Sequence, residues 1–325
     1  MRTRTVLILL ACFGLLLIAS LLRFAVGGDG LALPEHPVIW ELRGLRVAAG
    51  AIVGAALGVG GAMLQSLLRN PLASPDLLGV TSGAGLAVMV VAFLAFRAGE
   101  PMPGAGATGA AALVGALGAL AVVYAASQRR GLVDPVSLVL VGVIVGLICA
   151  AASRLLESTL PPDPARLATR WMFGSLSDET GWGTLRFVAL LTVAVIAGAA
   201  WLGPSMDAAS LSDEEAHAVG VPIGALRLVL FIGSGVLAAG SIVLAGPIGF
   251  VGLVAPHAVR LVLGPGHRGV VLGSACVGAA LVVLADAAVK SLDLPGGRVP
   301  IGVLTSLIGG PVFVMMLRSS RSRGA

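Results

Sequence analysis

The chain has 325 residues, 57% of them hydrophobic, with only 21 basic and 16 acidic side chains and a mean hydropathy of +1.02. An average soluble domain carries about 25% charge, against 11% here, so a water-facing globular surface is excluded. Disorder is excluded by the hydrophobicity, and the 46 glycines follow no Gly-X-Y period, which excludes collagen.

What remains is a membrane-embedded bundle of closely packed helices. Arg2 and Arg4 precede an apolar run from Val6 to Leu22. The run is longer than a secretory h-region and no A-x-A site follows, so it reads as an uncleaved first span. Further apolar runs of spanning length give ten candidate spans, at about 5–25, 47–68, 77–96, 105–126, 136–153, 184–203, 226–246, 249–263, 269–289 and 300–317. Two connectors are long: Arg154 to Gly183, and Gly203 to Leu226 with the acidic run Ser212-Asp213-Glu214-Glu215. Both tails are basic, with Arg318, Arg321 and Arg323 at the C-terminal end, so both termini read as cytoplasmic. The net charge of +5 is scattered between apolar runs; it reads as membrane topology, not nucleic-acid binding. Cys12, Cys149 and Cys276 each sit alone in an apolar run and read as small hydrophobes.

Gly50, Gly54 and Gly58, and again Gly142 and Gly146, recur every four residues. That spacing puts them on one helix face, where backbones can approach closely without side chains between them. The stretch 54–65 in the second span echoes 235–246 in the seventh. With those spans running in opposite directions, the echo points to an inverted repeat, a common transporter construction.

Catalytic signatures are missing. A Walker A motif requires Gly-Lys-[Ser/Thr], whereas the lone lysine, Lys290, follows Val289. The four histidines are far apart and no metal-ligand spacing occurs, so no cofactor, metal or enzymatic activity is read. Charge inside the spans is confined mainly to Asp286, with Arg23 and Lys290 near span ends. An ion-coupled carrier usually shows carboxylates at mid-membrane, so a stand-alone secondary transporter or channel is the alternative reading.

Two stretches break the helical pattern. One runs from Gln65 through RNPLASPDLLG at 69–79, where Pro71 and Pro75 bar a continuous helix. The other is GPIGFVGLVAPHAVR at 246–260, with Gly249, Gly252, Pro256 and His257. Irregular backbone at membrane depth survives only where protein or a water-filled cavity satisfies it, so Gln65, Asn70, Pro71, Gly249, Gly252, Pro256 and His257 are candidate pathway or hinge residues.

These two blocks resemble the permease subunits of iron-siderophore, haem and vitamin B12 ABC importers. WMFGSL at 171–176, LSDEEAHAVGV at 211–221 and PIGVLTSLIGGP at 300–311 also match that family, in family order over about residues 43–317. The resemblance implies an all-α polytopic membrane protein, one permease domain over 1–325 in the bacterial inner membrane, and about ten helices with an inverted repeat of the second to fifth and seventh to tenth. The implied partners are a second permease copy, two cytoplasmic ATP-binding subunits and an extracytoplasmic substrate-binding protein. Leu211, Asp213, Glu214, Ala216 and Gly220, in the loop at about 204–225, look like the cytoplasmic coupling helix. Arg43, Arg46 and Lys290 match external basic positions that dock the binding protein. Arg298 stands where the family commonly has Glu. The pathway between two subunits would be lined by the fifth and tenth helices, with Thr305 and Ser306 as polar contacts. A reporter fused after Arg323 should therefore remain cytoplasmic; its appearance outside the cell would overturn the even span count.

Overall fold

The computed structural model describes residues 3–27, 33, 36–129, 131–177, 180–292 and 299–322, with side chains up to 316. The helices are α1 (Thr3–Ala25), α2 (Pro37–Leu67), α3 (Val80–Ala98), α4 (Ala105–Ala126), α5 (Pro135–Thr159), α6 (Pro162–Trp171), α7 (Trp182–Trp201), α8 (Gly203–Ala209), α9 (Asp213–Ala218), α10 (Ile223–Ala245), α11 (Val251–Leu263), α12 (His267–Ser291) and α13 (Ile301–Ser322). A 3-10 turn covers Pro75–Leu78, and β1 (Gln128–Arg129) pairs antiparallel with β2 (Leu132–Val133) in a hairpin before α5.

Ten of these helices coincide with the ten expected spans. Eight are long and apolar enough to cross a membrane, and Val251–Leu263 and Ile301–Met316 are shorter apolar stretches. Some boundaries differ from expectation. α2 starts at Pro37, not 47, because His36 caps it through Nδ1 to the Val38 amide and Pro37 pre-sets the first turn. α5 runs on to Thr159, and the long connector after it contains α6, an amphipathic helix opened by Pro162. Its Ala168 packs with Met89, Ala92 and Leu160.

The core lies where α2 meets α10 and α12, with α4 packed against α10. Met63, Leu64, Phe231 and Leu237 are fully buried there. The expected glycine face of α2 lies against α12: a Cβ on Gly54 would fall 2.1 Å from the Gly278 carbonyl oxygen. Only hydrogen side chains permit that approach, and dispersion across it supplies the attraction that lipid does not. The outer helices are inverted relative to a soluble protein. Leu7, Ile18 and Leu21 of α1, and Leu190 and Val193 of α7, are exposed, as a hydrocarbon solvent requires.

The two halves share a plan. In each, a long inner helix (α2 or α10) is followed by an irregular stretch and then a helix (α3 or α11). α2 and α10 are joined directly, the Ser234 hydroxyl donating to the Gly60 carbonyl at 2.9 Å.

Asp286 of α12 is 1% exposed and holds two guanidiniums, from Arg23 of α1 and from Arg46 of α2 at 2.6 Å. The pairing ties the peripheral α1 to the core. Removing one member of a buried ion pair typically costs about 3–5 kcal/mol, because the remaining charge is stranded. Asp286→Ala should therefore lower the melting temperature of the detergent-solubilised protein by several degrees; an unchanged value would mean that the two arginines are otherwise neutralised.

Candidate functional site

The two irregular stretches meet inside the bundle. α2 ends at Leu67, and Arg69 turns the chain with φ +47°. The Asn70 amide closes back on the Gln65 carbonyl at 3.1 Å, and the Asn70 side chain accepts from Leu72 at 2.9 Å. The chain then re-enters the bundle. Pro75 packs beside Gly60, which lies roughly 10 Å inside the end of α2 at 1.5 Å per residue. Gly142 of α5 seats the Leu77 carbonyl, only 2.0 Å from where its Cβ would be. From the other end of the bundle, α10 stops at Ala245, and Gly246–Phe250 descends to start α11 beside α2. Phe250 turns that chain with φ +68°, and its ring covers Gly309 and Gly310 of α13.

Pro256 explains the chemistry of the meeting point. A proline inside a helix has no N–H to give to the carbonyl four residues back, here that of Gly252. Gln65 supplies the missing donor: its amide Nε2 donates to the Gly252 carbonyl and to the Ala73 carbonyl, both at 3.3 Å. Its Oε1 accepts from Arg260 Nη1. Gln65 is 3% exposed. One side chain thus satisfies both broken segments and anchors the end of α11. The contact is close on every side, since a Cβ on Gly61 would lie 1.9 Å from the Gly252 oxygen. Among the expected pathway or hinge residues, Gln65, Asn70, Gly252 and Pro256 come together here, with Pro71 at the exposed start of the turn.

The other expected residues lie along α11 and α13. His257 is 8% exposed, edge-on to Phe313 with ring centroids 5.6 Å apart, and its Nε2 has no hydrogen-bond partner among the described residues. Thr305 and Ser306 both donate to the Gly302 carbonyl of their own helix, at 3.1 and 2.7 Å. Thr305 also borders an apolar cavity of about 300 Å³ with Phe250, Val254 and Leu304. Ser306 faces Gly249.

At one end of the bundle the 203–222 connector folds into α8 and α9. Ser212 caps α9 by accepting from the Glu215 amide at 3.0 Å, the N-cap half of a capping box, and its hydroxyl donates to the Glu215 carboxylate at 3.0 Å. Ala216 is fully buried, Gly220 ends the helix with φ +82°, and Leu211, Glu214 and Val219 are exposed. Asp213 is engaged within the chain, by Arg69 and by Arg227 of α10 at 2.8 Å. Asp207 of α8 accepts from the His267 amide at 2.8 Å and contacts its ring at 2.7 Å.

At the opposite end, Arg43 is half-buried in α2 and donates to the Phe24 carbonyl at 2.7 Å. Arg46 is 12% exposed and committed to Asp286. Lys290 is half-buried one turn beyond Asp286. Arg298 lies outside the described residues. Residue patterns did not disclose the brace formed by the segment after α6. Gly174 seats the Pro247 carbonyl 1.9 Å from where its Cβ would be, and the Ser175 amide donates to Ala245 at 2.7 Å. Gly174, with φ +70°, was the available signal.

Residues 5–319 match the FecCD transport family. The chain is 34% identical over 286 residues to the hemin transport system permease protein HmuU of Yersinia pestis, covering 88% of this chain and 84% of that one. It is 33% identical over 330 residues to the vitamin B12 import system permease protein BtuC of Salmonella typhi, covering 98% of each. Among solved structures, an inward-facing metal-chelate type ABC transporter superimposes with a TM-score of 0.84 at 28% identity, over 96% of this chain and 99% of that one. With its apolar spanning helices, the chain belongs to the FecCD transport family, as a multi-pass permease of the bacterial inner membrane.

Proposed function

We propose that the chain, as a single permease domain over 1–325, is the membrane subunit of a binding-protein-dependent ABC importer. It carries a metal-chelate, haem or cobalamin type of ligand inward by ATP-driven alternating access. Two copies would enclose the pathway, with two ATP-binding subunits on the cytoplasmic face and a substrate-binding protein outside. The observation that carries this reading is the junction at Gln65. Two breaks entering from opposite ends of the bundle share one side chain, so a shift at either end is felt by both. Asp286, the carboxylate within α12, is held by two arginines, which argues against its use by an ion-coupled carrier. In proteoliposomes, uptake should require the ATPase subunit and ATP. Uptake that survives without them but collapses with the proton gradient would establish the carrier instead.

The exposed faces of α9 suit docking. Leu211 and Val219 present apolar surface around Glu214 at the cytoplasmic end, while Ala216 and Gly220 shape the turn beneath. Leu211→Asp combined with Glu214→Lys should reduce copurification of the ATPase subunit about tenfold or more, since hot-spot contacts each contribute roughly 2 kcal/mol. Retained copurification would remove this face from the interface. Outside, Arg43 and Lys290 are the candidates for docking, and Arg46 serves by holding Asp286. Opposed charges mainly speed encounter, so Arg43→Glu with Lys290→Glu should slow binding-protein association at low salt and matter little at high salt.

The junction itself is testable. Gln65→Glu can still face Arg260 but cannot donate to Ala73 and Gly252. Each buried acceptor left open costs about 1–3 kcal/mol. The variant should reach the membrane yet transport at least tenfold more slowly; wild-type transport would show that the two breaks move independently of Gln65.

A further inference from the structure

Arg69 and Phe250 are the non-glycine residues with positive φ among the described residues. Each stands at the joint of one broken segment. Such a backbone is uncommon outside glycine and persists where the surroundings hold it. What holds Arg69 is the coupling end. Its Nε donates to the Ala209 carbonyl at 2.8 Å, at the C-terminal end of α8, and its Nη2 pairs with Asp213. The same carboxylate is gripped from the other side by Arg227 Nη2, at 2.8 Å to one oxygen and 3.1 Å to the other.

Three elements therefore converge on Asp213. α9 carries it. Arg69 leads directly into the re-entrant turn 70–79, and Arg227 lies on α10, whose far end is the break at 246–250. Glu214, the next residue, is exposed and makes no ion pair among the described residues. Acid residues one position apart on this short helix thus face different tasks.

We propose that Asp213 is a positioning residue that joins the coupling helix to both broken segments, with Arg69 as its lever on the re-entrant turn. This rests on the importer reading above and names the link inside it. Asp213 acts within the chain, and the ATPase-facing role of the acidic run falls to Glu214. Pairs this exposed add little stability, so neutralising them should leave the fold intact.

The test uses the full complex with its ATPase subunit, in a background lacking Cys12, Cys149 and Cys276. A nitroxide on Leu72→Cys, an exposed position of the turn, reports its movement when ATP and vanadate are added. Asp213→Asn and Arg69→Gln should each cut the spectral change about two- to fivefold, with the ATPase copurifying at wild-type level. Asp213→Glu should restore it. The double variant should be no worse than the poorer single, as expected for residues sharing one interaction. The proposal fails if the singles respond like wild type, or if the double multiplies the two losses. It also fails if Asp213→Asn sheds the ATPase while Arg69→Gln does nothing, because Asp213 would then meet the ATPase itself. A wild-type complex that binds ATPase but shows no ATP response at Leu72 overturns the lever alone. A wild-type chain that binds no ATPase overturns the importer reading and the lever with it.

Discussion

The structure turns on one unpaired carbonyl. Pro256 has no N–H, so the Gly252 oxygen is left open in the interior, where water is scarce and an unsatisfied backbone group is expensive. Gln65 closes it and, with the same amide, closes the Ala73 carbonyl of the opposite break. For the amide to reach, α2 and the start of α11 must nearly touch. This is the reason for glycine at both Gly61 and Gly252. Breaks that would otherwise be separate defects become one linked junction.

The sparse charges fall into two sets that match the two ends of the bundle. At one end Arg23 and Arg46 neutralise Asp286 and fasten α1 to the core. At the other, Arg69 and Arg227 share Asp213 of α9, and Arg260 binds Gln65 of α2. Neither set resembles the catalytic or ion-binding clusters of an enzyme or carrier. Both join helices whose apolar flanks provide contact but little orientation. In a bundle solvated by lipid, charge-assisted hydrogen bonds supply the register that apolar packing leaves loose.

Much of this was legible in the residues. Ten apolar runs appear as ten helices, because length and hydropathy are local properties. Pro71, Pro75, Pro256 and the glycines around 246–252 disclosed the breaks, because proline chemistry acts within one turn. The early start of α2 was not legible, since Arg43 and Arg46 there look like a boundary; Asp286 and Phe24 bind them and let the helix continue outward. Nor was α6, whose proline-rich opening reads as a loop until its apolar side finds Met89 and Ala92.

By itself the sequence determined the membrane class, the positions of the apolar helices and of both breaks and, through five motif blocks, the family. All of these rest on composition and on neighbours a few residues apart. Only the tertiary structure decided which groups answer one another. Gln65 and Gly252 are 187 residues apart, Arg69 and Asp213 are 144, and Arg46 and Asp286 are 240. No periodicity records such a pairing. It is set when close-packed glycine faces bring distant helices into register and each buried polar group takes the partner then within reach.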